Sequence, residues 1–219
     1  MARVVIFGAA DVASLAHFYF RTDSEHQVVA FTVDGAHRRA DSFEGLPLVD
    51  FAEVADRYPP AEHRMFVALS YARMNRLRAE RYAQAKERGY RLVSYVSSRC
   101  TFLTEHPPGD NCFILEDNTV QPYVAIGSDV TLWSGNHIGH HSVIEDHCFI
   151  SSHVVVSGRV RIGPYCFIGV NATLRNGVVV APETLVGAGS VIMSDTVAGG
   201  VYVPERARLL DRPSDQVEP

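Results

Sequence analysis

Aliphatic residues recur at every sixth position through the second half of the chain. From Ile114 the series runs Val120, Ile126, Leu132, Ile138, Ile144, Ile150, Val156, Ile162, Ile168, Leu174, Val180, Val186 and Ile192, fourteen positions without an insertion. Where about a third of residues are Ile, Leu or Val, chance would give such a run in any of six registers on the order of once in a million. Glycine follows the aliphatic at Gly127, Gly139, Gly163, Gly169 and Gly187, and small residues such as Cys112, Ser142, Cys148, Cys166 and Ala172 stand two places before it. A period of six fits neither a helix nor strands joined by hairpins. It fits a short strand plus a turn, three of which close a triangular coil. At about 18 residues per coil the hexads build about 4.7 coils of a left-handed parallel β-helix, with each repeating aliphatic pointing into the prism. Cys112, Cys148 and Cys166 are separated by whole coils, so they are predicted to stack in one interior column as inert thiols.

The first half follows a different pattern. Val4-Val5-Ile6-Phe7 reads as a strand, Gly8 as a turn, about Asp11 to Phe20 as a helix, and Val28-Val29-Ala30-Phe31 as a second strand ending near Asp34. A strand at Met65–Leu69, a helix from about Arg73 to Arg88 closed by Gly89, and a strand from Arg91 to Val96 continue the alternation. This predicts a small parallel sheet with flanking helices, joined to the coil by the link Ser97 to Gly109 with its His106-Pro107-Pro108. A first strand-to-helix turn can offer amide N–H groups to a phosphate, and an acid ending the second strand can hold a sugar hydroxyl or a base. Here Gly8-Ala9-Ala10-Asp11-Val12-Ala13 keeps only the first glycine of a dinucleotide fingerprint, and Asp11 puts a negative charge where a pyrophosphate would lie. The turn therefore reads as a nucleotide-sugar site or a structural turn rather than an NAD site.

Composition narrows the partners. The chain has 219 residues, 47% of them hydrophobic and 21% charged, which excludes disorder, collagen and a disulfide scaffold. A formal charge of -5 with no basic block argues against nucleic acid. No apolar run is long enough to span a membrane, and Met1 to Gly8 lacks the layout of a signal peptide, so the expectation is a cytoplasmic protein without membrane association.

Five of the ten histidines fall between Asn136 and His153. His140 and His141 sit two and three places after Ile138, near a corner where side chains leave the prism, and His147 and His153 repeat the place of His141 on successive sides. Within one chain these histidines point in different directions, and only an assembly would bring them together. Such a cluster can be solvated corners, metal ligands, or a general base beside a substrate amine or hydroxyl, since neutral imidazole meets the last demand without unusual burial. Glu145, Asp146, Asn136 and Ser142 are candidates to orient the base, and spacing does not rank them.

Together, the Gly8 turn, Asp34, Gly45-Leu46-Pro47-Leu48, the unbroken hexads, Gly163-Pro164-Tyr165-Cys166-Phe167-Ile168-Gly169-Val170-Asn171-Ala172 and Gly187-Ala188-Gly189-Ser190 resemble sugar acyltransferases of the sialic-acid O-acetyltransferase and bacillosamine-pathway type. The resemblance implies an α/β Rossmann-like domain at 1–97, an all-β left-handed parallel β-helix at 110–194 and a C-terminal tail at 195–219. It implies an acetyl-CoA-dependent N-acetyltransferase acting as a homotrimer on a nucleotide-linked 4-amino-4,6-dideoxy sugar. Gly8, Ala9, Ala10, Asp11, Val12 and Asp34 would meet the sugar nucleotide, and Gly169, Val170, Asn171, Gly187 and Ala188 the coenzyme. No metal ligand is assigned. The family's base, a histidine usually followed by an acid, falls on His140; here His141 replaces the acid, so either histidine could be the base. Tyr202-Val203-Pro204-Glu205-Arg206-Ala207 resembles the segment that helps close the coenzyme site. O-acetylation of a sugar is an alternative, as are a zinc-dependent hydratase of the left-handed β-helix carbonic anhydrase kind, drawing on His137, His141, His147 and His153, and a non-enzymatic trimeric scaffold.

Overall fold

The apolar run at the N-terminus forms β1 (Arg3–Phe7), whose last four residues are buried, in a computed structural model that describes residues 1–205 with Ala207 and Asp211. Gly8 turns the chain into α1 (Asp11–Thr22), which lays Ala13, Ala16 and Phe20 on the sheet. β2 (Gln27–Val33) lies parallel to β1. β3 (Ser42–Phe43) and β4 (Leu46–Asp50) form a hairpin turned by Glu44 and Gly45, both in the left-handed region, and a short α2 (Val54–Arg57) follows. β5 (His63–Val67), α3 (Arg76–Glu87) and β6 (Arg91–Leu92) complete a sheet of order β3-β4-β2-β1-β5-β6, parallel except for the hairpin. Alternation along β1 sends Val4 and Ile6 to one face and Val5 and Phe7 to the other, so each face carries its own core.

Two boundaries differ from expectation. The last helix starts at Arg76 rather than about Arg73, because Arg73, Met74 and Asn75 all take left-handed backbone, with φ of 54°, 52° and 64°. The strand expected from Arg91 to Val96 is split: Arg91–Leu92 stays in the sheet, whereas Tyr95–Val96 pairs with Phe113–Ile114 and opens the coil. Within the expected link, Thr101–Phe102 pairs with Thr119–Val120. The six-step series thus extends back through Phe102 to Val96, and both side chains pack on the coil's core.

The coil has three walls of two-residue strands, paired in parallel one coil apart, as in Thr131 with Phe149 and Ile144 with Ile162. The first wall runs from Tyr95–Val96 to Val201–Tyr202, the second from Thr101–Phe102 to Val191–Ile192, and the third from Ala125–Ile126 to Val179–Val180. In every pair the repeating aliphatic points inward, and from Ile114 to Ile192 none is more than 6% exposed. The cysteine column forms as expected: Cys112, Cys148 and Cys166 are fully buried, and burial pushes the Cys112 thiol up to about 12. A second six-step series marks the corners. Tyr123, Asp129, His141, His147, His153, Arg159, Tyr165, Asn171 and Glu183 each hold φ between 56° and 66°.

The first wall turns its outer face to the sheet, and Phe113 and Leu115 join one of the sheet's cores. The edge between the third and first walls lies under α3. There Arg78, 2% exposed, gives Nε to Asp129 Oδ1 at 3.0 Å and Nη2 to the carbonyls of Asp129 and Cys148. Asn111 adds an amide N–H to the same Oδ1 at 2.7 Å and accepts the Val67 N–H at the end of β5. Asn75 reaches the Cys166 carbonyl at 3.1 Å. A buried, hydrogen-bonded ion pair thus joins the sheet layer to the coil. No helix among the described residues is long and apolar enough to cross a membrane.

Candidate active site

The turn after β1 is shaped by one close approach. Gly8 has φ of 132°, gives its N–H to the Thr32 carbonyl, and has no room for a side chain, since a Cβ would lie 2.7 Å from the Ala68 carbonyl oxygen. Ala9 follows, and Ala10 caps α1 with its carbonyl, which accepts from Ala13 and Ser14. Asp11 and Val12 then face a cavity of about 470 Å³. The far side belongs to the coil: Trp133 stacks on Phe149 at 5.8 Å, Phe149 on Phe167 at 5.7 Å, and Tyr71 meets both phenylalanines edge-on or tilted. Val170, 43% exposed, closes the cavity from the edge between the first and second walls.

Val170 stands between Gly169 and Asn171 on that edge, and Gly187 and Ala188 lie one coil further on. Gly169 and Gly187 lack side chains because the coils are tightly stacked here. A Cβ on Gly169 would come 2.5 Å from the Ala188 backbone nitrogen, and one on Gly187 would press on Tyr202 and Val203. Tyr202 belongs to the segment expected to close the coenzyme site; its carbonyl accepts the Gly187 N–H at 2.7 Å, while Arg206 and most of the 195–219 tail beyond it lie outside the described residues. One predicted coenzyme residue, Val170, therefore shares a cavity with two predicted substrate residues, Asp11 and Val12.

Asp34 is elsewhere. Its carboxylate is held by Arg81 of α3 at 2.7 Å. Past it lies a polar hollow of about 360 Å³ lined by Gly35, Arg38, Arg39, Asp41 and Asp50, which the sequence pattern did not single out. A pair of arginines just after the second strand was the available signal.

The histidines separate as expected. His137 faces out from the second wall, His140 and His141 stand on the edge between the second and third walls, His147 lies on the edge under α3, and His153 on the edge that carries Val170. Within one chain, His140 and His141 are thus on a different edge from the cavity. Their Nδ1 atoms are 3.0 Å apart, and the His141 ring lies on Tyr123 at 4.6 Å. The His140 N–H is held by Gln121 Oε1 at 2.9 Å. Desolvation at the corner, then the charges of Arg159 and His140, keep His141 below the ordinary imidazole value. None of the four expected orienting groups makes a hydrogen bond to this pair. Glu145 pairs with Arg161, Asp146 accepts from the Ser128 N–H, Asn136 bridges Trp133 and Val154, and Ser142 is tied to Ser157 and Val160. Each is committed to the contacts between coils. Among the described residues of a single chain no three His, Cys, Asp or Glu side chains converge to hold a metal ion.

Comparison with known proteins agrees with this architecture. Residues 123–158 match the bacterial transferase hexapeptide (six repeats) family. The acetyltransferase domain of PglB from Neisseria gonorrhoeae superposes with a TM-score of 0.79 at 18% identity, covering 92% of this chain and 96% of that one, and a further structure of that domain holds acetyl coenzyme A. A histidine-to-asparagine mutant of perosamine N-acetyltransferase from Caulobacter crescentus, in complex with CoA and GDP-perosamine, gives 0.78 at 24% identity, covering 89% and 90%. WeeI from Acinetobacter baumannii gives 0.80 at 18% identity, covering 96% and 100%. The chain carries a hexapeptide repeat, has mostly parallel sheets and few helices, and shares the left-handed β-helix fold of these sugar acetyltransferases.

Proposed function

We propose that the protein transfers acetyl from acetyl-CoA to the amino group of a nucleotide-linked 4-amino-4,6-dideoxy sugar, with His140 as general base. The observation that carries the reading is the cavity shared by Asp11 and Val12 from the sheet layer and Val170 from the coil. It brings residues expected at the sugar nucleotide and at the coenzyme into one space, and the Caulobacter structure in complex with CoA and GDP-perosamine supports both ligands. In this reading the Rossmann-like layer, 1–97, holds the sugar nucleotide, the coil, 110–194, holds the coenzyme, and the tail, 195–219, closes over it.

The residues present fit a pantetheine chain. Gly169, Gly187 and Ala188 keep the edge narrow, and Val170 offers it an apolar side. Acetyl-CoA supplies an activated acyl group; the protein supplies position and a proton acceptor. His140 Nε2 takes the proton of the acceptor amine as its nitrogen bonds to the thioester carbonyl carbon. As the C–S bond breaks, that proton passes to sulfur, leaving the amide and free CoA thiol. The aromatic wall of Trp133, Phe149 and Tyr71 suits the apolar face of a deoxy sugar or a base. Because His140 lies on another edge, the base reaches the cavity from a neighbouring chain, and the active form is a homotrimer.

The test is thiol release from acetyl-CoA with UDP-, dTDP- and GDP-linked 4-amino-4,6-dideoxy sugars. Release with one acceptor, lost about 100-fold or more in His140→Asn, is expected. Folded, trimeric protein that releases no thiol with any of them would reject the reading.

A further inference from the structure

His140 and His141 meet through like atoms. Their Nδ1 atoms are 3.0 Å apart and the rings stand at 89°. Two protonated Nδ1 atoms would clash and two bare ones would repel, so the contact requires opposed tautomers: one ring carries N–H at Nδ1 and the other a lone pair. The surroundings decide which is which. His141 lies on Tyr123 with Arg159 close by, and its own affinity for a proton is lowered by desolvation and by that charge. His140 Nε2 stands against Gly158, where only the lack of a side chain leaves it room, since a Cβ there would come within 2.6 Å. The Nδ1–H of the contact is therefore placed on His140, whose Nε2 keeps its lone pair. Arg159 and Tyr123 are the titratable neighbours at this corner, since Glu145 and Asp146 are turned to Arg161 and Ser128.

We infer that His141 is the positioning residue of the base: as the Nε2–H tautomer it accepts the Nδ1–H of His140 and leaves the His140 Nε2 lone pair free to take the acceptor's proton. This rests on the acyl-transfer reading above for the identity of that proton. A neutral imidazole stands where a carboxylate would otherwise orient the base. It fixes tautomer and ring direction as a carboxylate does, but it adds no negative charge to favour the imidazolium.

Two measurements test this separately. In protein labelled with 15N-histidine, imidazole nitrogen shifts are expected to show His140 as the Nδ1–H tautomer and His141 as the Nε2–H tautomer, with signals assigned by His140→Asn and His141→Asn. The reverse assignment, or two Nε2–H rings, overturns the pairing whether or not an acceptor is known. In kinetics, His141→Ala is expected to lose about 10- to 100-fold in kcat with KM for acetyl-CoA unchanged. His141→Glu is expected to recover most of that rate and to raise the acid-limb pKa of kcat/KM by about one unit. Glutamate fits the backbone there, since Glu183 holds the same corner position with φ of 60°. A His141→Ala enzyme with unchanged kcat and acid limb would overturn the proposal. If wild type turns over no acceptor, the acyl-transfer reading fails and the imidazole shifts alone decide the pairing.

Discussion

His141 and His147 occupy the same place in successive hexads, with φ of 58° and 61°, yet their surroundings are opposite. His147 lies under α3, its Nδ1 2.9 Å from the buried Asp129 carboxylate and its ring stacked on Tyr165 at 4.9 Å. His141 stands on the open edge, paired with another imidazole. The coil dictates the backbone of both positions and the chemistry of neither. What an imidazole does here is decided by whether the sheet layer covers its edge, and by whether a carboxylate or a neutral ring meets its Nδ1.

The covered edge should fail most severely when broken. Arg78→Ala leaves Asp129 buried, with Asn111 and His147 as its remaining side-chain partners. Removing one member of such a pair costs about 3–5 kcal/mol. Urea unfolding of Arg78→Ala is expected to show that loss, while alanine for an exposed corner residue such as Arg159 stays within about 1 kcal/mol. Equal losses would mean that the seam under α3 contributes no more than the open edge.

The intermediate prediction concerns stacking along the coil. Gly169 and Gly177 both invite substitution, for different reasons. Gly169 lacks space, since a Cβ would strike the Ala188 backbone, whereas Gly177 has open space but φ of 77°. Gly169→Ala is expected to cost about 1–3 kcal/mol by overpacking and to raise KM for acetyl-CoA. Gly177→Asn should be nearly neutral, because Asn171 already holds that corner position at φ of 57°. Comparable melting temperatures for the two variants would contradict the distinction.

Legibility in the sequence follows the same division. The coil was readable residue by residue because one rule, an aliphatic at each inward position, is repeated without a break from Ile114 to Ile192. Its true start was hidden where the rule weakens: the steps before Ile114 are Pro108, Phe102 and Val96, and Tyr95–Val96 resembled the end of a sheet strand. The sheet layer's alternation was readable, but the β3–β4 hairpin was seen only as a Gly45-Leu46-Pro47-Leu48 motif. The seam was not legible, since Arg78 and Asp129 are 51 residues apart and their burial depends on how two layers dock. At the site, adjacency puts His140 and His141 together, but the expected orienting groups, Glu145, Asp146, Asn136 and Ser142, are all used elsewhere by the coil. An Nδ1-to-Nδ1 contact depends on corner geometry, which the hexad pattern does not specify.

Histidines that are covered but unpartnered complete the comparison, with the smallest expected effect. His17 on α1 and His26 before β2 both have a buried Nδ1 with no hydrogen-bond partner. Burial lowers the pKa of each; nearby Arg21 adds to this for His17, and the N-terminal charge for His26. A group whose pKa is depressed in the folded chain binds its proton more readily when unfolded. The stability it contributes is therefore complete above the unfolded value of about 6.5 and falls as the pH drops below it. Asp23 acts in a separate window. Hydrogen bonds from Ser98 and Tyr95 lower its carboxyl to about 2, so its contribution persists to about pH 4 and is lost only as the pH falls further. Melting temperatures between pH 7.5 and 5.5 should thus decline in wild type through His17 and His26, before Asp23 takes part. In the double variant His17→Gln, His26→Gln that decline should flatten, and an unchanged slope would assign it to other groups and leave these two rings without a role in acid sensitivity.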